Sequence, residues 1–290
     1  MALGPVVRVE ASPESPAEAL ASVETVAVLT GEEGERWHLL EVEWSWETSL
    51  IGVMAEPSRE PFMRRVTGGP VFPGGEGMVY AALIGPRTGG RPPSLEAVHR
   101  MALGLLEGCD ATPRLEARCG GAPVWAGVGK LAQRPLIELY GPRGVVEELA
   151  SRSGRVVASV ELDRSLVRRD SLERLESPEW NWGGVEGGTH RASMRTAWGF
   201  LLAAEARLEP PLVEDLRLYT DAFVYPPAQA LLLVGQLRGI PPAPTAVLEF
   251  LNGWATLVEA VGVEYGELKG LLLGLFEEMA RDAGLWQGPQ

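Results

Sequence analysis

RRVTGGPVFPGGEG, residues 64 to 77, lies between the alternating stretch WHLLEVEWSWETSLIGVM and the apolar run MVYAALI. Two arginines and a threonine precede a Gly-Gly pair. Glycines let the backbone approach a ligand closely, and successive N–H groups in such turns form anion-binding concavities. Arginine adds bidentate donors for phosphate or carboxylate. Arg64, Arg65, Thr67, Gly68, Gly69 and Gly77 are therefore candidate ligand-binding residues. The segment lacks the lysine of a Walker loop, and no GxGxxG opens a helix here. The same composition also suits an ordinary turn whose arginines meet surface carboxylates.

Downstream, WAGVGKLAQRP places Lys130 directly after a Gly-x-Gly turn, and Lys269 is the one other lysine in the chain. Lys130 is a candidate catalytic residue, with a plain hairpin-tip lysine as the alternative.

Working outward, PAEALASVETVAVLTGE from residue 16 reads as an amphipathic helix, and WHLLEVEWSWETSLIGVM as a strand pair. VYAALIG reads as a buried strand, and RPPSLEAVHRMALGLLEGC as a helix capped near Ser94. RLEARC and APVWAGVGKLA read as two strands around a turn, RGVVEELASRSG as a short helix and RVVASVELD as a strand. From Arg164 the chain becomes charged, then rich in glycine and tryptophan, which suggests a connection between domains with WNWGG as a possible hinge. The boundary is expected near residue 176. Beyond it, TAWGFLLAAEARL and LVEDLRLYTDAFV alternate as strands around EPP. PAQALLLVGQL, APTAVLEFLNGWATLVEAV and YGELKGLLLGLFEEMARDAG read as helices.

The chain has 290 residues, 46% hydrophobic and 22% charged, enough for a sizeable core in one large domain or two ordinary ones. A formal net charge of -13 argues against a nucleic-acid partner. The N-terminus shows no basic segment followed by an apolar run, and no apolar stretch reaches the ~20 residues that span a bilayer. A cytoplasmic protein without a membrane partner is the expectation. Cys109 and Cys119 have neither zinc-knuckle nor CxxC spacing, and either free thiols or one local disulfide fits them. His38, His99 and His190 are scattered, so no catalytic zinc or iron site is expected.

RRVTGG resembles the RRxSGG or RRxTGG signature of the lipoate and biotin ligase superfamily, and GKLAQ resembles its lysine motif. Trp46 and Gly52 stand at matching places upstream, on a strand that follows the helix containing Ser22 and Glu24. EWNWG and the elements after it resemble the accessory domain of lipoate-protein ligases. The resemblance implies an α+β protein: a mixed-sheet ligase domain at 1–176 and a small α+β accessory domain at 177–290. It implies an ATP- and Mg2+-dependent ligase that activates lipoate, or a related medium-chain acid, as an acyl-adenylate. The acyl group then passes to the acceptor lysine of a lipoyl carrier domain. Arg64, Arg65, the Gly68–Gly69 backbone and Lys130 would offset the repulsion between carboxylate and triphosphate. Trp46, Val71, Phe72 and Val79 would line the acyl tunnel.

Pro70 stands where the family has glycine, Gly74 and Gly75 where it has His and Asp, and Met78 where it has Asn. The Asn-Asp pair before the lysine is not evident in CGGAPVWAGVG. These departures motivate one alternative, a catalytically silent binding or partner protein of the same fold; an octanoyl or lipoyl transferase of the same superfamily is another.

Overall fold

The computed structural model describes residues 3–30, 35–57, 61–87, 92–177, 180–181 and 190–285. Two compact units divide the chain: Met1–Val53 with Ser58–Trp182, and Met54–Pro57 with Gly183–Gln290. Residues 54–57 join the second unit through Thr220 N–H on the Met54 carbonyl at 2.7 Å and an Arg191–Glu56 pair at 2.7 Å. The WNWGG glycines lie outside the described residues.

The first unit contains β1 (Val6–Glu10), α1 (Pro16–Leu29), β2 (Trp37–Trp44), β3 (Ser49–Ile51), β4 (Phe62–Arg64), β5 (Met78–Ile84) and α2 (Leu95–Leu105). It continues through β6 (Asp110–Ala111), β7 (Glu116–Cys119), β8 (Ala122–Leu131), β9 (Arg134–Pro142), α3 (Arg143–Ser151), β10 (Val156–Glu161) and α4 (Arg169–Glu176). Eight of these strands form one mixed sheet in the order β10-β1-β2-β5-β9-β8-β7-β6, with β1 parallel to both neighbours and the other pairs antiparallel.

The helix α1 starts where Ser15 accepts from Glu18 N–H at 3.1 Å and Pro16 presets the first turn. Its small residues Ala17, Ala19, Ala21 and Ala27 are all buried, which lets it lie close on the sheet. It packs there against Leu40, Val42, Trp44, Tyr80, Ala82 and Tyr140. The opposite face of the sheet receives α2 and α3. Ser94 caps α2 by accepting from Ala97 N–H at 3.2 Å.

In the second unit, β11 (His190–Arg195), β12 (Leu201–Glu209) and β13 (Leu212–Thr220) form an antiparallel sheet. The strand β14 (Phe223–Tyr225), α5 (Pro227–Gly235), α6 (Pro244–Leu257), β15 (Glu259–Val261) and α7 (Tyr265–Asp282) follow. Phe200, Leu216, Phe223, Leu251, Leu272 and Phe276 are fully buried here.

Two readings of the sequence need correction. The expected strand pair in WHLLEVEWSWETSLIGVM does not form: β2 pairs with β1 and β5, whereas β3 pairs in parallel with β4 in a separate two-stranded sheet. EAV does not extend α6; it forms β15 against β14. RPLIELYGP, which carried no expectation, is β9 near the middle of the main sheet. Cys109 and Cys119 form a disulfide across the β6–β7 hairpin, with Cα atoms 4.5 Å apart. No helix among the described residues is long and apolar enough to cross a membrane.

Candidate functional site

The strand β4 ends in Arg64 and feeds the glycine segment, which runs across one face of the main sheet. Both arginines have zero solvent exposure. Extended backbone sends successive side chains in opposite directions, and the two guanidiniums find different partners. Arg64 donates through Nη1 to the carbonyls of Gly52 at 3.3 Å and Val53 at 3.1 Å. The backbone N–H of Arg64 donates to Asn181 Oδ1 at 2.9 Å, and its carbonyl accepts from Trp180 Nε1 at 2.7 Å.

Arg65 is held at all three guanidinium nitrogens. Nε donates to Thr67 Oγ1 at 2.8 Å and lies 2.9 Å from Glu138 Oε2. Nη1 donates to the Leu50 carbonyl at 3.1 Å, and Nη2 to the carbonyls of Gly68 at 3.0 Å and Pro70 at 2.9 Å. The guanidinium also lies 3.9 Å from the centroid of the Phe72 ring.

Glu138, on β9, is the counter-charge. Besides Arg65 it accepts from the Thr67 hydroxyl and from Tyr80 Oη at 2.7 Å. Burial pulls the Arg65 pKa down, opposed by the Glu138 charge, and burial together with Glu138 pushes the Tyr80 hydroxyl well above its usual range. Desolvating an ion pair is tolerated when each member is also satisfied by hydrogen bonds, and this four-residue network meets that condition.

Small residues on β8 admit the loop. A Cβ on Gly127 would lie 2.8 Å from Thr67 Oγ1 and 2.9 Å from Glu138 Oε2, and one on Gly129 3.1 Å from Thr67 Cγ2. Gly68 N–H donates to the Val128 carbonyl at 3.3 Å, and Gly69 takes a φ of 109°, which favours glycine. Phe72 exchanges two 2.8 Å backbone hydrogen bonds with Leu50 and stacks on Tyr140 at 5.3 Å. Trp44, Trp125 and Tyr140 continue the aromatic packing, and Trp46 meets Trp44 at 4.8 Å.

The structure thus brings together Arg65, Thr67, Gly68, Gly69 and Phe72, and adds Glu138 and Tyr80. It does not bring in the remainder. Val71 is exposed, and Gly77 lies in the turn before β5 with a φ of 79°. Lys130 is buried on β8, one residue out of phase with Gly127 and Gly129, so its side chain leaves the face opposite the loop. Val79 likewise alternates with Tyr80 and lines a separate cavity of about 270 Å³ with Glu41, Glu43 and Arg143. Among the described residues no cluster of three or more His, Cys, Asp or Glu side chains is arranged to hold a metal. The guanidinium of this network, Arg65, already serves Glu138 and the loop carbonyls of Gly68 and Pro70.

Glu138 went unnoticed in the sequence. A single carboxylate inside the apolar run PLIELY was the available signal, because a charge there needs a buried partner.

No protein-family profile matches the chain, and no curated protein sequence does. Solved structures do. P. falciparum LipL1 in complex with lipoate superposes with a TM-score of 0.65 at 9% identity, over 94% of this chain and 99% of that one. Protein Ta0514 from T. acidophilum with bound lipoic acid gives a TM-score of 0.46 at 15% identity, over 63% and 100% of the two chains. Lipoate-protein ligase A bound with ATP gives 0.46 at 12% identity, over 63% and 99%. The superposition on LipL1 gives the chain an α+β fold of the lipoate-protein ligase type, in a divergent form. The likeness to LipL1 spans nearly the whole of both chains.

Proposed function

We propose that this protein is a non-catalytic relative of the lipoate-protein ligases that binds a lipoyl carrier domain without activating an acid. The observation that supports this reading is the engagement of Arg65 with Glu138, Thr67 and the carbonyls of its own loop. Adenylate chemistry requires donors left open to the carboxylate and the triphosphate. Drawing Arg65 onto a phosphate would strand a buried Glu138 carboxylate, at a cost of about 3–5 kcal/mol, and leave it facing a polyanion. The direction of the Lys130 side chain, away from the loop, supports the same reading.

Pyrophosphate exchange into ATP, measured with lipoate and with octanoate, is expected to stay at background, while lipoylated carrier domain binds in a calorimetric titration. Acid-dependent exchange would overturn the reading.

One observation favours a second reading, an ATP- and Mg2+-dependent ligase acting on lipoate: the whole-chain fold likeness to a protein solved with lipoate. In that case exchange appears and depends on Arg65 and Lys130. A transferase working through a cysteine thiolate would first need the Cys109–Cys119 bond reduced.

A further inference from the structure

The strand β10 is the outermost strand at one end of the eight-stranded sheet, bonded to β1 on its inner side. All six of its residues are exposed, and Val156, Val157 and Val160 are 45%, 50% and 48% exposed. An edge strand presents a row of unpaired N–H and C=O groups, and folded proteins protect such edges with lysines, prolines, short strands or covering segments. The opposite end of the same sheet is protected in this way: β6 has two residues, and a disulfide ties its hairpin. In β10, VVASVE contains neither Lys nor Pro.

The backbone of β10 suits pairing over most of its length. Its one irregularity against β1 skips Val157, and from Ala158 to Glu161 the ladder is continuous. Leu162 N–H donates to the Glu10 carbonyl, so strand alternation turns the N–H and C=O of Ser159 and Glu161 away from β1. The charges at its ends are of opposite sign: exposed Arg155 enters the strand, and exposed Glu161 and Asp163 leave it. A second copy laid antiparallel sets each entrance against the other's exit. A two-fold axis imposes that orientation on a self-pairing strand.

We propose that two copies of this chain associate edge to edge through β10, antiparallel, with Ser159 at the two-fold axis. The two sheets become one continuous sheet, and Arg155 of each copy faces the partner's Asp163. The exposed valines lose water on association, and opposite charges across adjacent strands each contribute about 0.2–1 kcal/mol.

Analytical ultracentrifugation of the full chain tests this. The wild type is expected to sediment as a dimer and Val160→Lys as a monomer. Arg155→Glu or Asp163→Arg alone should weaken the dimer by about tenfold, and the Arg155→Glu/Asp163→Arg double variant should recover it. Unchanged urea midpoints for the monomeric forms, at matched low concentration, would show that the exposed substitutions leave the fold intact. A wild type that is monomeric at every concentration overturns the proposal, and so does a dimer indifferent to Val160→Lys and to the charge reversals. An extended segment of a different protein adding to this edge would leave the isolated wild type monomeric.

Discussion

Arg65 Nε stands 2.9 Å from Glu138 Oε2, and neither side chain is more than 1% exposed. The two residues lie 73 positions apart, one on the glycine loop and the other on β9, and their pairing fixes that loop to the sheet. Removing one partner leaves the other charged and buried. Glu138→Ala is expected to lower unfolding stability by about 3–5 kcal/mol, measured as a fall in the urea midpoint. A loss under about 1 kcal/mol would mean that water or a neighbour replaces the carboxylate at little cost.

His38 gives an acid-sensitive term. Burial first, and then Arg134 and Arg36, lower its pKa from 6.5 to about 4. The folded protein therefore keeps the imidazole neutral where the unfolded chain protonates it. Stability from this group is full above pH 6.5 and declines as pH falls toward 4, by at most about 3 kcal/mol. Comparing urea midpoints at pH 7 and pH 5 should show a smaller decline in His38→Asn than in the wild type. Equal declines would assign the acid sensitivity to carboxylates alone.

Gly127 should tolerate no side chain. Its Cβ would meet Thr67 Oγ1, Glu138 Oε2 and the Gly68 carbonyl at 2.8, 2.9 and 3.0 Å, so Gly127→Ala is expected to cost about 1–3 kcal/mol. On α3, a Cβ at Gly144 meets nothing within 4 Å, so Gly144→Ala should be neutral or stabilising by up to about 1 kcal/mol. Equal effects in thermal melts would contradict the close approach of the loop to β8.

Much of the fold was legible in residue patterns. Ser94 ahead of LEAVHRMALGL marked α2, and the apolar run MVYAALI marked β5. The β8–β9 hairpin was hidden by its turn. Ala132 and Gln133 adopt φ of 50° and 63°, values usually signalled by Asn-Gly, and neither residue suggests a tight turn. Without that turn, RPLIELYGP had no partner and Glu138 no place in the site. Arg65, Thr67 and the Gly68–Gly69 pair could be selected from composition. Their arrangement could not, because donors suited to a phosphate are equally suited to carbonyls and to a carboxylate supplied by a distant strand. The facing of Lys130 depended on strand phase relative to Gly127 and Gly129, which becomes definite once the loop is seen packed on those glycines.

A glycine loop whose Arg65 is closed on Glu138 and on its own carbonyls should activate no acid. Pyrophosphate exchange into ATP, with lipoate and Mg2+ supplied, tests it most directly when the wild type is run beside Arg65→Ala and Lys130→Ala. Background exchange is expected in all three proteins. Lipoate-dependent exchange in the wild type that disappears in either variant would contradict it and establish the loop as a working ligase site.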